Sequence, residues 1–192
     1  MLGFSKREKI LLAGIELFST RGLENTTLAA IQANAGIALN TFYKYFRDKD
    51  QLANEIYRGM SGSLERALNL ATVEQESPRA QFHQLWAQMA DFHKTYPRVI
   101  AFLESQHLEA YLDADSRALP RIPQPITDLI GRLHQEKMAK EAPAIILAAI
   151  VWVSFVELVK LRSLPDLSLS EEDLRHAEEC TWDAIRTIGG LR

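Results

Sequence analysis

A single cysteine, Cys180, stands in 192 residues. A monomer of this chain therefore closes no disulfide and builds no cysteine-based zinc site, and a reducing compartment suits it. No hydrophobic run reaches the ~20 residues that cross a bilayer. The longest, Ala142 to Val156, has 15 residues and is interrupted by Pro143 and Ser154; it reads as a buried helix, and no membrane partner is expected. The opening MLGFSKREKI lacks the apolar core and cleavage site of a signal peptide, which leaves a cytoplasmic location as the expectation. There is also no nucleophile and base pair, no glycine-rich phosphate loop and no complete metal set, so no catalytic residue, cofactor or metal is expected. Glu104-x-x-His107 and Asp173-x-x-His176 each set a carboxylate and an imidazole on one helical face, but a bundle metal site needs more carboxylates from other helices.

What is present is an ordinary globular composition, 47% apolar and 24% charged. Cys180, among apolar neighbours, reads as a small packing residue. The net charge is −3, but it is unevenly spread: residues 1–60 carry eight Lys/Arg against six Asp/Glu, and the acidic surplus lies in the rest. A local basic field rather than total charge attracts phosphate, so the first third of the chain is the part suited to a polyanion.

Helical spacing runs throughout. Ser5-Lys-Arg-Glu8 forms a capping box, followed by apolar positions at Ile10, Leu11, Gly14, Leu17 and Phe18 and a stop at Gly22. Thr26 or Thr27 caps a second helix with Leu28, Ile31 and Ala35 facing inward. Gly36 turns the chain, Ile37 and Phe42 plug the small core, and Ala29, Ala30 and Ala33 permit close crossing. A short third helix then carries Asn40, Thr41, Tyr43, Lys44 and Tyr45 on its polar side. Two helices in this register form a helix-turn-helix whose second helix can enter a DNA groove.

Asp48 to Gln51 caps the next helix, which holds Leu52, Ile56, Met60, Leu64 and Leu68 on one side. No Gly/Ser-rich linker interrupts it, so it reads as the mechanical link between an N-terminal domain, 1–50, and a larger domain, 51–192. Ser77-Pro78 opens a helix with an aromatic stripe, Phe82, Leu85, Trp86, Met89, Phe92, His93 and Tyr96. Pro97 opens another through Val99, Phe102, Leu103, His107 and Leu108, and residues 113–125 read as irregular. Helical spacing resumes at Ile126, Leu129, Ile130 and Leu133. The last two helices are 143–162, apolar nearly all round, and 170–188, capped by Ser170 with Asp173. A helix apolar on every side must be covered on more than one, either by a second subunit or by its own bundle.

The segment TTLAAIQANAGIALNTFYKYFRDKDQL resembles the N-terminal signature of TetR-type transcriptional regulators: a threonine cap, an Ala-Gly-Ile turn, Tyr43-Lys44-Tyr45-Phe46 and a downstream lysine. The likeness covers about the first quarter of the chain. It implies an all-α protein of about nine helices, with a three-helix DNA-binding domain and a C-terminal domain for ligand binding and dimerisation. Residue by residue it implies phosphate contacts at Thr27, Tyr43, Tyr45 and Lys49, and base-edge positions at Leu39, Asn40, Thr41 and Lys44. Ala38 departs from the pattern where a serine usually caps the reading helix, and Asn40 where a small residue is frequent. Asparagine can pair with N6 and N7 of adenine. The resemblance further implies an apolar effector pocket, for which Trp86, Met89, Phe92, Phe102, Tyr111, Trp152 and Phe155 are candidates with His107 or Tyr111 as a polar handle; an aromatic stripe at helical spacing also reads as plain core. The expected partners are a palindromic double-stranded DNA operator, a small-molecule effector that releases a repressor from it, and a second copy of the chain through 143–162 and 170–188. The rivals are a helical enzyme and a protein-interaction module, neither of which predicts salt-sensitive DNA binding.

Overall fold

The computed structural model describes residues 4–69, 76–105, 108–162, 164, 167 and 169–187. Among them it is all helical, with ten α-helices and one short 3-10 turn. The chain divides into two compact units, residues 1–63 with 96–119 and residues 64–95 with 120–192.

The first unit opens with α1 (Lys6–Arg21), fixed at its start by the capping box of Ser5 and Glu8 and at its end by Gly22, which at φ 78° takes a backbone that other residues adopt with strain. Helix α2 (Leu28–Ala35) follows, then α3 (Leu39–Phe42), and α4 (Lys49–Ala67) runs from this unit into the other. Asp48 caps α4 by accepting the Gln51 amide at 2.7 Å, while Gln51 reaches back to the Arg47 amide at 2.6 Å. Gly14 lets α1 approach α4 closely: a Cβ there would lie 2.7 Å from Ile56 Cδ1 and 3.1 Å from Leu52 Cδ2.

The unit is completed by residues that follow a long excursion of the chain. Helix α6 (Pro97–Leu103), the 3-10 turn Leu108–Tyr111 and α7 (Ala114–Arg117) return to it. The expected helix from Pro97 through Leu108 stops at Leu103, and the stretch taken as irregular contains α7, capped by the Asp113 carboxylate on the Ser116 amide at 2.8 Å. Phe102 stacks on Phe18 with ring centroids 6.3 Å apart. Asn54 of α4, buried, donates to the carbonyls of Asp50 and Tyr111 at 2.8 and 2.7 Å and accepts the Asp113 amide at 2.8 Å. One turn on, Arg58 pairs with Asp113 at 3.0 Å and donates to Ser116 Oγ at 2.8 Å. These bonds hold the returning segment against α4.

The second unit contains α5 (Pro78–Thr95), α8 (Gln124–Gln135), α9 (Ala144–Arg162) and α10 (Glu171–Ile185). Ser170 and Asp173 cap α10 reciprocally, which commits the Asp173 carboxylate to that helix end. The core is aromatic: Phe82 lies 5.2 Å from Trp182 and 6.0 Å from Trp86, and Phe155 lies 5.5 Å from Trp86 and 6.4 Å from Trp152. Buried Glu178 of α10 accepts Arg79 of α5 at 2.7 Å and His83 Nδ1 at 3.0 Å, and the Arg79 guanidinium lies over both the Phe82 and Trp182 rings. An arginine so stacked and paired locks α5 to α10. Between α8 and α9 the chain reverses at Lys137, φ 56°, and a single antiparallel bridge joins Ala139 to Arg186.

Helix α9 is longer than the 15-residue apolar run and, by length and composition alone, could cross a membrane. Leu147, Ala148, Val151, Trp152, Phe155 and Val156 are nevertheless buried inside the unit, while Ile145, Ile146 and Val153 remain more than half exposed. Cys180, expected to be a packing residue, is exposed on α10. Ile188 and His107 lie outside the described residues.

Replacing Asn54 with Ala leaves the Tyr111 carbonyl and Asp113 amide without their partner, at a cost of ~2 kcal/mol in urea unfolding. The Asp113 carboxyl is held down at about 2, first by the hydrogen bonds from Ser116 and then by Arg58. A depressed carboxylate favours the folded state fully above its ordinary value of 3.8 and loses that effect as pH falls toward 2. Carboxyl NMR titration should therefore find Asp113 still ionised at a pH where ordinary aspartates are protonated.

Candidate nucleic-acid interface

The interface is built from α2, the Gly36 turn and α3. Thr27, rather than Thr26, is the cap of α2: its Oγ1 accepts the Ala30 amide at 3.2 Å, and the residue is exposed. Thr26 is buried and donates to the Gly22 and Leu17 carbonyls. Gly36 ends α2 in the left-handed conformation at φ 63°, where its amide lies on the Ala33 and Gln32 carbonyls. The start of α2, with early amides and a positive helix end, suits a phosphate.

Helix α3 is one turn long, too short to be stable from its own hydrogen bonds. It is held by aromatic anchors. Phe42 is fully buried and Phe46 nearly so, their centroids 5.7 Å apart, and the Arg7 guanidinium of α1 lies over the Phe46 ring at 5.6 Å. Ile37 packs partly buried against the same core. With Phe42 turned inward, the rest of the turn faces out: Leu39 is 49% exposed, Tyr43 52% and Tyr45 40%, Asn40 and Lys44 are exposed, and Thr41 is half-buried. Tyr43 is propped edge-on against Phe42 at 5.6 Å. Ala38 stands at the N-cap with no side-chain bond, as its chemistry requires.

Lys49 differs from its neighbours. Its ammonium donates to the Leu23 and Thr26 carbonyls at 2.6 and 3.1 Å and lies 5.7 Å from the Tyr111 ring centre, so it braces the α1–α2 connection and keeps one N–H for an outside acceptor. Arg47, which sequence spacing did not single out, is 82% exposed at its side chain beside Tyr45 and is tied to Asp48 at 2.7 Å. That bond raises the Arg47 pKa, and the Gln51 amide and Arg47 together lower that of Asp48.

The effector candidates are split between the units. Trp86, Met89, Phe92, Trp152 and Phe155 are buried together in the second unit. Phe102 and Tyr111 belong to the core of the first, where Phe102 stacks on Phe18 and Tyr111 packs under Lys49. His93, half-buried on α5, is held below its ordinary pKa first by burial and then by Arg162.

A buried aromatic behind an outward-facing polar turn, with a capped helix beside it, defines a helix-turn-helix DNA-binding protein. Residues 10–56 match the family model described as bacterial regulatory proteins, tetR family, and residues 58–187 match that of the tetracyclin repressor-like C-terminal domain. The chain belongs to the TetR family, whose members are transcription regulators rather than enzymes. The HTH-type transcriptional repressor KstR2 of Mycolicibacterium smegmatis is 27% identical over 191 residues, 95% of this chain and 78% of that protein. The uncharacterized regulator YerO of Bacillus subtilis is 28% identical over 115 residues, 55% of this chain and only 40% of that protein. A TetR family transcription regulator from Marinobacter aquaeolei VT8 superposes with a TM-score of 0.79 at 20% identity, covering 94% of this chain and 95% of the other, a likeness of fold.

Two substitutions test the anchor. Phe42→Ala should cost ~3–5 kcal/mol in chemical unfolding because it removes the ring that holds α3. Ala38→Ser supplies the missing cap and should raise stability by ~0.5–1 kcal/mol.

Proposed function

We propose that this chain is a repressor that binds a palindromic operator as a homodimer and leaves it when a small molecule binds. The observation that carries the DNA half is the outward face of α3 and the turn after it: Asn40, Tyr43 and Lys44 stand exposed while Phe42 is buried. Leu39, Asn40, Thr41 and Lys44 meet base edges. Thr27, Tyr43, Tyr45 and the remaining N–H of Lys49 meet phosphates, with Arg47 placed to join them. Functionally the division is a reading part, 1–50, and an effector and pairing part, 51–192, in the cytoplasm.

Pairing is supported by the exposed apolar line of α9. Ile146 and Val153 are seven residues apart, two turns along one helical face, and Ile145 adjoins them. Helices α9 and α10 of two copies would form a four-helix bundle and set two reading helices ~34 Å apart, one DNA turn. The effector lining is Trp86, Met89, Phe92, Trp152 and Phe155, buried on α5 and α9. A coupling of ~1–3 kcal/mol between effector and operator suffices for a several-fold to hundredfold change in affinity.

Operator selection from random DNA followed by titration across salt should give a log–log slope of about −0.9 per phosphate contacted; flat, weak binding removes the DNA reading. Asn40→Ala should relax preference at one adenine position by ~1–3 kcal/mol and leave other sequences unaffected, whereas Lys44→Ala weakens binding broadly. Val153→Asp should yield monomers in sedimentation and lose operator affinity. A metabolite screen in which nothing alters operator affinity removes the effector half alone.

A further inference from the structure

The second unit holds a cation that its own chain leaves incompletely paired. Arg132 of α8 donates from Nε to Gln81 Oε1 of α5 at 3.2 Å, and Gln81 is only 4% exposed. The Gln81 amide nitrogen donates to the Glu76 carbonyl at 3.0 Å, which fixes its oxygen toward the guanidinium. The arginine is thus held in one pose, yet its Nη2 is buried without a hydrogen-bond partner, and among the described residues no carboxylate forms an ion pair with it. Other arginines of this unit are matched: Arg79 with Glu178, Arg162 with Glu171 and Arg186 with Asp183. A guanidinium does not shed its proton on burial, so the cost of desolvating it is relieved by an anion rather than by neutralisation.

A second unpaired group lies on the same face of α5. Gln88 donates its Nε2 to the Asn69 carbonyl at 2.6 Å, which leaves its buried Oε1 as an unused acceptor. Seven residues separate Gln81 from Gln88, two helical turns and ~10 Å, with Leu85 between them on that face and Met89 on its flank. A cation near one end, an acceptor at the other and buried Leu85 between them set the two polar ends of a candidate complement.

We propose that Arg132 anchors the effector through a carboxylate, and that the effector has an apolar body of ~10 Å ending in a hydroxyl or amide donor for Gln88. The planar fork of arginine accepts a carboxylate through two parallel hydrogen bonds, and the apolar span matches the stripe of α5. This rests on the reading of the second unit as the effector domain and specifies the chemistry of its ligand.

The test uses two probes of equal length, ω-hydroxydecanoate and decanediol, titrated against the full-length protein by tryptophan fluorescence and calorimetry. The carboxylate should bind at least about tenfold more tightly than the diol, ~1.4 kcal/mol, and Arg132→Met should erase that preference. Gln81→Glu, which supplies Arg132 with an internal carboxylate, should weaken the acid and spare the diol, and it serves if Arg132→Met fails to fold. Equal binding of the two probes, a preference that survives in both variants, or binding of neither probe overturns the carboxylate anchor. Equal binding leaves an apolar effector site standing; it is the metabolite screen on operator affinity that removes the effector reading itself.

Discussion

The outward face of the helix-turn-helix depends on one ring. A single helical turn, Leu39–Phe42, has too few hydrogen bonds to persist in water, and its N-cap residue Ala38 offers no side-chain acceptor. Burial of Phe42, supported by Phe46 and by the arginine stacked on it, supplies what the backbone does not. Because one residue of the turn is committed inward, the direction of every other side chain follows, and Asn40, Tyr43 and Lys44 face solvent as a consequence. The same constraint extends outward. Lys49 ties the start of α4 to the α1–α2 connection, and Asn54 and Arg58 tie α4 to the segment after α6, so the reading turn rests on a frame joined by polar bonds as well as by core packing.

The second unit solves a different problem. Its helices are joined by large rings and by one buried carboxylate, Glu178, whose partners both come from α5. A buried carboxylate left without its partners is costly, so Glu178 penalises any arrangement that separates it from Arg79. Here it fixes the register of α5 against α10, the helix proposed to pair subunits. Arg132 stands in contrast, since its environment holds its geometry while leaving part of its hydrogen-bonding capacity unused. A buried guanidinium nitrogen without a partner, beside arginines paired with carboxylates in the same unit, distinguishes Arg132 from the groups that build the domain.

Much of the N-terminal region was legible because its determinants are local. The Ser5 and Glu8 box, the Gly22 and Gly36 stops, the missing cap at Ala38 and the inward Phe42 are each set by residues within one or two turns. The same holds for the Ser170 and Asp173 box. Residues 97–119 were less legible: the spacing of Val99, Phe102, Leu103 and Leu108 suits a continuous helix, but the chain breaks after Leu103 so that Phe102 can stack on Phe18 and Asn54 can bond the Tyr111 carbonyl. Aromatic character alone does not separate Phe102 and Tyr111 from Trp86, whereas long-range packing sends them to the other unit.

The sequence by itself determined an all-helical chain, the capped helix ends of its N-terminal region and a helix-turn-helix, since caps, stops and periodicity act over a few residues and carry their own geometry. Tertiary structure alone decided that residues 96–119 complete the first unit, that Lys49 spends two of its donors on backbone carbonyls, and that half-buried Arg132 lies beside an amide instead of a carboxylate. Those outcomes turn on which groups meet across tens of residues. Spacing along a helix says which way a side chain points, but only the packed chain says what waits for it there.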